Sequence, residues 1–351
     1  MERRFASRLS SELPGSKENP KSDLIDFVKK VFCLLVAIYL GAVCWGNLRL
    51  IPHFNPILQF SKCLEVSATG LFVNGSVAEF GGKRWVALRK IEGKKSFIYV
   101  TEEKDGVCVA PFKLDLQTEH AEDPRLIVFQ EQLVVVYNDL IGVNRRMHLA
   151  FLKENGTVAK IQLLLKEGPL LKTEKNWVPF IHEKQLYFIY KASPWTILEW
   201  QPDGICRLTA ETAISIPTQY GSLSGGTPAI RVGDEYISFF HHRFGSTRSY
   251  ASWNRYIYLI GAYTFEASPP FRLKKVTSAP LSYPGAYNLF TNPKKILYPA
   301  GLLETADALL LSVGVNDERT ELLLLSKAAF LEVLESRSLS KPELSFLTDC
   351  K

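Results

Sequence analysis

The amino-acid sequence predicts an all-β fold, a five-bladed β-propeller, behind a single apolar N-terminal helix. Three observations predict it. A strand–turn–strand pattern recurs five times at intervals of roughly 50 residues, the period of multi-stranded propeller blades. The composition favours pleated, half-buried surfaces, with 14 Tyr, 21 Phe and only 2 Met in 351 residues. An uncharged apolar run occupies residues 31–48.

The elements follow in chain order. Residues 1–30 are polar, carry Pro14, Gly15, Ser16 and Pro20, and read as a disordered tail. The run V-F-C-L-L-V-A-I-Y-L-G-A-V-C-W then opens a stretch that lacks charge through Leu48, with Lys29 and Lys30 before it and Arg49 after it. Its length is near the lower bound for a spanning helix, and the basic flank predicts a single-pass signal anchor with a cytoplasmic N-terminus. The alternatives are a cleaved secretory signal, or a helix docked on the main domain of a soluble cytoplasmic protein. Residues 49–69 read as a lead-in and residues 70–338 as the propeller. Its hairpins open at Asn74, Glu122, Asn176, Gly225 and Tyr298. They turn at Gly81-Gly82, Gln130-Glu131, Glu183-Lys184, Gly233-Asp234 and Thr305-Ala306-Asp307. Runs such as M-H-L-A-F-L and T-I-L-E-W supply outer strands. The segment 326–336 predicts a helix with Ala329, Phe330 and Val333 on its apolar stripe, capping the last blade, and 339–351 read as a loose tail.

The net charge of +6 comes from scattered basic residues, which argues against a nucleic-acid partner. Six cysteines show no C-x-x-C spacing, so no zinc ribbon or thioredoxin-type site is expected. There is no D-x-D for a metal, no G-x-G-x-x-G and no P-loop, so neither metal nor cofactor is expected.

In a propeller the first strand of each blade lines a central channel. Residues opening the five hairpins should therefore meet there: Asn74, the run Glu122-Asp123-Pro124-Arg125, Asn176, Thr227 and Tyr298. Polar residues at any one strand start can simply satisfy backbone groups. Five such starts around one axis predict a ligand pocket. Glu122 is expected to pair with a cation, and Arg125 either to make a structural ion pair or to touch substrate. Adjacent strand residues face opposite ways, so only one of His241 and His242 can face the channel, and His241 is the choice. Trp177, Trp195 and Tyr298 are candidates for sugar stacking, against the commoner fate of aromatic core.

Three segments carry a resemblance. E-D-P-R at 122–125, G-G-T-P-A-I from Gly225 with the later F-H-H, and Y-P-A-G-L from Tyr298 followed by S-V-G-V-N-D resemble glycoside hydrolase family 130 over roughly residues 70–325. That family holds β-mannoside phosphorylases, β-mannosidases and related β-mannosyltransferases, all five-bladed propellers. The resemblance implies Asp123 as the catalytic acid, acting through a sugar hydroxyl. It also implies Arg146 and His241 as holders of phosphate or of an activated donor, and Asn74, Arg89 and Asp317 as sugar-binding residues. Inorganic phosphate or a sugar phosphate would be co-substrate, and the partner a mannose-containing oligosaccharide or glycoconjugate. The family's phosphate-binding lysine falls near Ile181 and is absent, which leaves Arg145, Lys175 or Arg243 to supply its charge. Inverting mannosyl transfer is thus the expected reaction. A β-mannoside hydrolase is the alternative, and would need a second carboxylate (Asp139, Glu304 or Glu318) roughly 6.5–9.5 Å from the acid. A carbohydrate-binding propeller without activity is the other.

Overall fold

The computed structural model describes residues 20–48, 58–213, 216, 221–245, 256–277, 280–281 and 295–337. The chain divides into two units, Met1–Arg49 and Leu50–Lys351.

The first unit contains α1 (Pro20–Leu48). Residues 20–30, expected to be disordered, are helical; Pro20 at the first helical position suits a helix start. The anchor expectation is corrected: among the described residues no helix is long and apolar enough to cross a membrane. The described side chains of α1 end at Gly41, and Val31–Gly41 follows Asp26, Lys29 and Lys30 on the same helix, short of the roughly 20 apolar residues a span needs. Residues 42–48 of the expected anchor lie outside the described side chains, and the expected tails at 1–19 and 338–351 lie outside the described residues.

The second unit is almost entirely strand. β1 (Leu58–Cys63) and β2 (Glu65–Val66) come first, so the expected lead-in is partly sheet. β3 (Leu71–Phe80), β4 (Lys83–Glu92), β5 (Lys95–Lys104) and β6 (Val107–Lys113) form an antiparallel meander, with β2 added parallel to β6. β7 (Glu122–Phe129), β8 (Gln132–Ile141), β9 (Asn144–Leu152) and β10 (Val158–Leu163) form the second meander. β11 (Leu165–Lys166) runs parallel to the outer strand of the third, which comprises β12 (Val178–His182), β13 (Gln185–Ala192), β14 (Trp195–Trp200) and β15 (Ile205–Thr212). In the fourth group, β16 (Ser222–Gly225) and β17 (Ile230–Val232) both pair with β18 (Glu235–Gly245), followed by β19 (Tyr256–Glu266) and β20 (Leu273–Val276). β21 (Lys295–Glu304), β22 (Ala308–Val315) and β23 (Arg319–Ser326) make the fifth, joined to the fourth by a short parallel β19–β21 pairing. β1 pairs antiparallel with β23, so strands from both ends of the unit share one sheet.

All five expected hairpins form. Two of the turns put non-glycine residues in the left-handed region at both central positions, Gln130 (φ 51) with Glu131 (φ 58) and Glu183 (φ 47) with Lys184 (φ 68). That is the backbone of a tight hairpin turn whose twist matches its strands, usually built with Asn-Gly. The hydrophobic cores lie between consecutive groups. Phe129, Phe151 and Trp200 pack across the second and third, and Phe180, Tyr236 and Phe265 across the third and fourth. A further core joins the fifth group back to the first through Val86, Leu88, Leu310 and Leu322. α2 (Lys327–Arg337) appears where a helix is expected, burying Phe330 and Leu334 with Phe330 stacked on Phe239. The innermost strands β3, β7 and β21 pack on one another, which brings the hairpin openings together.

Candidate active site

Three hairpins open on the same backbone device. Asn74 (φ 51), Asp123 (φ 54) and Asn176 (φ 62) all occupy the left-handed region, which Asn and Asp tolerate better than other side chains. At the first two the ladder also slips, between Val73 and Ser76 and between Glu122 and Arg125. Such bulges re-aim side chains at a sheet end. Here they point polar groups from separate groups of strands at one another.

Arg125 is the hub. It is fully buried, and its Nη2 donates to Tyr298 Oη (2.9 Å), Gly225 O (3.2 Å) and Asn176 Oδ1 (3.3 Å), while Nε donates to Gly226 O. Ser76 Oγ accepts from Leu126 N at 2.9 Å. Residues of all five hairpins thus meet around one guanidinium. Its donors are directed at the protein, so Arg125, expected as a substrate contact, acts instead as the tie of the expected structural alternative. Gly225 must be glycine because a Cβ there would lie 2.1 Å from Asn176 O.

Asp123 sits beside this hub. Asn74 Nδ2 donates to its Oδ1 at 3.1 Å, and Arg89 Nη1 approaches the same oxygen at 3.6 Å. Arg89 Nη2 and Arg145 Nη2 each meet Glu122 Oε1 at 2.8 Å. Burial pushes Asp123 up, but Arg89, Lys175, Arg125 and the Asn74 bond outweigh it and hold its carboxyl below the ordinary value. Asp123 is therefore a carboxylate in the free protein, contrary to the expectation that its surroundings favour the acid form. Burial and the Asp123 charge push Glu122 up, against the pull of Arg89 and Arg145. Three guanidiniums and Lys175 face two carboxylates, so the centre is electropositive.

His241 does face this centre, as expected. It is buried, stacks on Tyr258 at 5.1 Å and lies 5.1 Å from Tyr298, and its Nδ1 has no partner among the described residues. Burial and then Arg125 lower it to about 3, so it is a neutral imidazole rather than the expected cation. His242, against Phe240 on the other face, is lowered by burial to about 4. Both stay neutral in the fold while the unfolded chain protonates near pH 6.5. Stability is then full above about pH 6.5 and falls as pH drops toward these lowered values, by about 1.4 kcal/mol per pH unit per histidine. Urea titrations of the wild type between pH 7 and 4 should show this slope, and His241→Gln with His242→Gln should flatten it.

Arg146 is not part of the centre. Neighbouring residues on β9 point to opposite faces; Arg145 turns inward to Glu122, while Arg146 donates to the backbone carbonyls of Arg145 (2.7 Å), Leu171 (2.9 Å) and Lys172 (3.3 Å). Asp317 (φ 54) stands in the turn between β22 and β23, on the hairpin whose Thr320 Oγ1 accepts from Gly75 N at 3.0 Å. On that hairpin a Cβ at Gly314 would lie 1.9 Å from Asn74 Oδ1, so the glycine leaves room for the side chain that holds Asp123. Trp177, Trp195 and Tyr298 are buried core aromatics rather than open stacking surfaces. Among the described residues no group of three or more His, Cys, Asp or Glu could hold a metal ion.

No family model matches the chain. "Beta-mannosyltransferase 2" of Komagataella phaffii is 27% identical over 120 residues, covering 32% of this chain and 19% of that protein, so the match spans about a fifth of the curated relative. Solved structures are similar over far more of the chain. A β-1,2-mannobiose phosphorylase from Listeria innocua, in complex with β-1,2-mannobiose, has a TM-score of 0.57 at 15% identity, over 81% of this chain and 95% of that one. A mannose phosphorylase from Leishmania mexicana, in complex with phosphate ion, has a TM-score of 0.56 at 11% identity, over 81% and 93%. A structure described under the GH130 mannoside phosphorylases and hydrolases that target β-1,2 mannosidic linkages in Candida mannan gives 0.51 at 13%, over 80% and 92%. The chain has the fold of these glycoside hydrolase family 130 structures, as its E-D-P-R and Y-P-A-G segments suggest.

Proposed function

We propose that the second unit is a five-bladed propeller enzyme that transfers a mannosyl group with inversion, to or from phosphate or an activated mannose donor. One observation carries the reading: Asp123, in a left-handed backbone at a bulge, is gripped by Asn74 and Arg89 where five hairpins meet. Five core-linked groups of strands, the last joined to the first, support the propeller. In breakdown of a β-mannoside Asp123 is the general acid. In synthesis the same carboxylate takes the acceptor's proton, and its ionised state in the free protein suits that direction. An anion bound at the electropositive centre would offset Arg89 and Lys175 and raise Asp123 toward the acid form that breakdown needs. Arg145 and Lys175 take the charge role expected of Arg146 and the missing lysine, with neutral His241 as a hydrogen-bond donor.

The positive centre favours an anionic co-substrate over hydrolysis. Asp139 accepts from Thr118 Oγ1 and Leu140 N, both at 2.7 Å, and Glu304 is paired with Lys327 at 2.6 Å, so neither is placed as a free base. The test incubates the full chain with α-mannose-1-phosphate and a β-mannobiose acceptor, and follows phosphate release and oligosaccharide growth by mass spectrometry. Growth with stoichiometric phosphate is the expected result. Release of free mannose alone would make the protein a hydrolase and overturn the reading.

A further inference from the structure

A second concavity lies between the β12–β15 sheet and β16. Its volume is about 360 Å³, within the range of small-molecule sites. Lys175, Lys191, Ser193, Ser222 and Ser224 line it. It is continuous with the Asp123 centre through two residues of its wall, Asn176 and Gly225, both of which accept from Arg125. Lys175 acts electrostatically on Asp123, Glu122 and His241, which sets it at the inner end. Lys191 stands over the Tyr190 ring at 5.3 Å, where Lys166 also lies at 5.7 Å. The one carboxylate in the wall, Glu174, is buried and already accepts from Leu171 N (2.7 Å), Trp177 Nε1 (3.3 Å) and Tyr190 Oη (3.3 Å). The lysines therefore keep charge for a ligand, and the serines supply hydroxyl donors beside them.

Resting on the mannosyl-transfer reading, we propose that this cleft binds the diphosphate of a glycosyl diphosphate donor, with the sugar at Asp123. Inorganic phosphate has five heavy atoms. The cleft has room for about a dozen waters at ~30 Å³ each, so a single phosphate would leave most of it to solvent. A diphosphate would engage the inner and outer lysines together. In the transfer, the acceptor hydroxyl oxygen bonds to the anomeric carbon as the bond from that carbon to the diphosphate oxygen breaks. The electron pair leaves on the diphosphate, whose added charge Lys175 and Lys191 meet, and the acceptor's proton goes to the Asp123 carboxylate.

The test titrates the full-length protein calorimetrically with inorganic pyrophosphate and, separately, inorganic phosphate. Pyrophosphate should bind about tenfold tighter or better, and Lys191→Ala should cost pyrophosphate about tenfold while leaving phosphate unchanged. Asp123→Asn should leave pyrophosphate affinity intact. Equal affinity for the two anions, or indifference of pyrophosphate to Lys191→Ala, overturns the proposal. So does displacement of pyrophosphate by β-mannobiose with retained binding of that sugar in Lys191→Ala, which would give the cleft to the acceptor. Loss of turnover in Asp123→Asn together with equal anion binding would sink the diphosphate and keep the enzyme. Lys191-dependent pyrophosphate binding with full turnover in Asp123→Asn would do the reverse.

Discussion

Asp123→Asn should lower mannosyl transfer by about 10²–10⁴-fold, the usual contribution of a general acid or base, while the protein still folds. Asn keeps the volume and tolerates the left-handed backbone that Asp123 adopts at φ 54. Its amide oxygen can still accept from Asn74. What it cannot do is exchange a proton. A pH series separates this from a folding defect. A carboxyl held below its ordinary value contributes stability above the unfolded value of about 3.9, and loses it as pH falls through the lower folded value. The stability gap between wild type and variant should therefore be full at neutral pH and close in strong acid, where the kinetic gap has no such reason to vanish. Undiminished turnover in the variant would remove Asp123 from the chemistry.

Arg125→Ala should be the most destabilising single change in the second unit, by about 3–5 kcal/mol, the range for removing one partner from a buried charged network. The substitution strands buried acceptors on Asn176, Gly225, Gly226 and Tyr298 at once, and leaves the Asp123 charge with one cation fewer. Arg125→Lys should recover little, because one ammonium cannot reproduce a planar fork aimed at several strands. Chemical denaturation of both variants measures this directly. A loss under about 1 kcal/mol in Arg125→Ala would show that the hairpin openings hold together without their central guanidinium.

The sequence made the hairpins legible because each is a local event: a polar turn between two apolar runs. The convergence of Asn74, Asp123, Asn176 and Tyr298 was legible too, once the repeats were taken as equivalent. Parity was the weak point. Arg145 and Arg146 are adjacent, β9 is largely buried on both faces, and no alternation tells which guanidinium turns inward. Glu122 needs two cations, and that need could have nominated Arg145 beside Arg89. Lys175 was harder, since it belongs to the segment before β12, where no strand pattern fixes direction. The left-handed backbone at Asp123 was hidden by Pro124, because a residue before proline is steered toward extended geometry. β1 was missed because L-Q-F-S-K-C has no hairpin partner nearby in the chain.

That partner is the last strand of the unit, with Leu58 opposite Leu325. The order of synthesis gives this pairing a consequence. β1 leaves the ribosome before any other strand of the unit, and the edge it completes is made after every other strand. At about 5–20 residues per second the wait is on the order of tens of seconds. During it the β1 segment has no strand to join, and the innermost residues of the fifth group have no Ser76 or Asn74 side to close against until translation is nearly done. The centre around Asp123 is therefore assembled only when the chain's two ends find each other, and a nascent chain that stalls before β23 carries every catalytic residue named above without an active site.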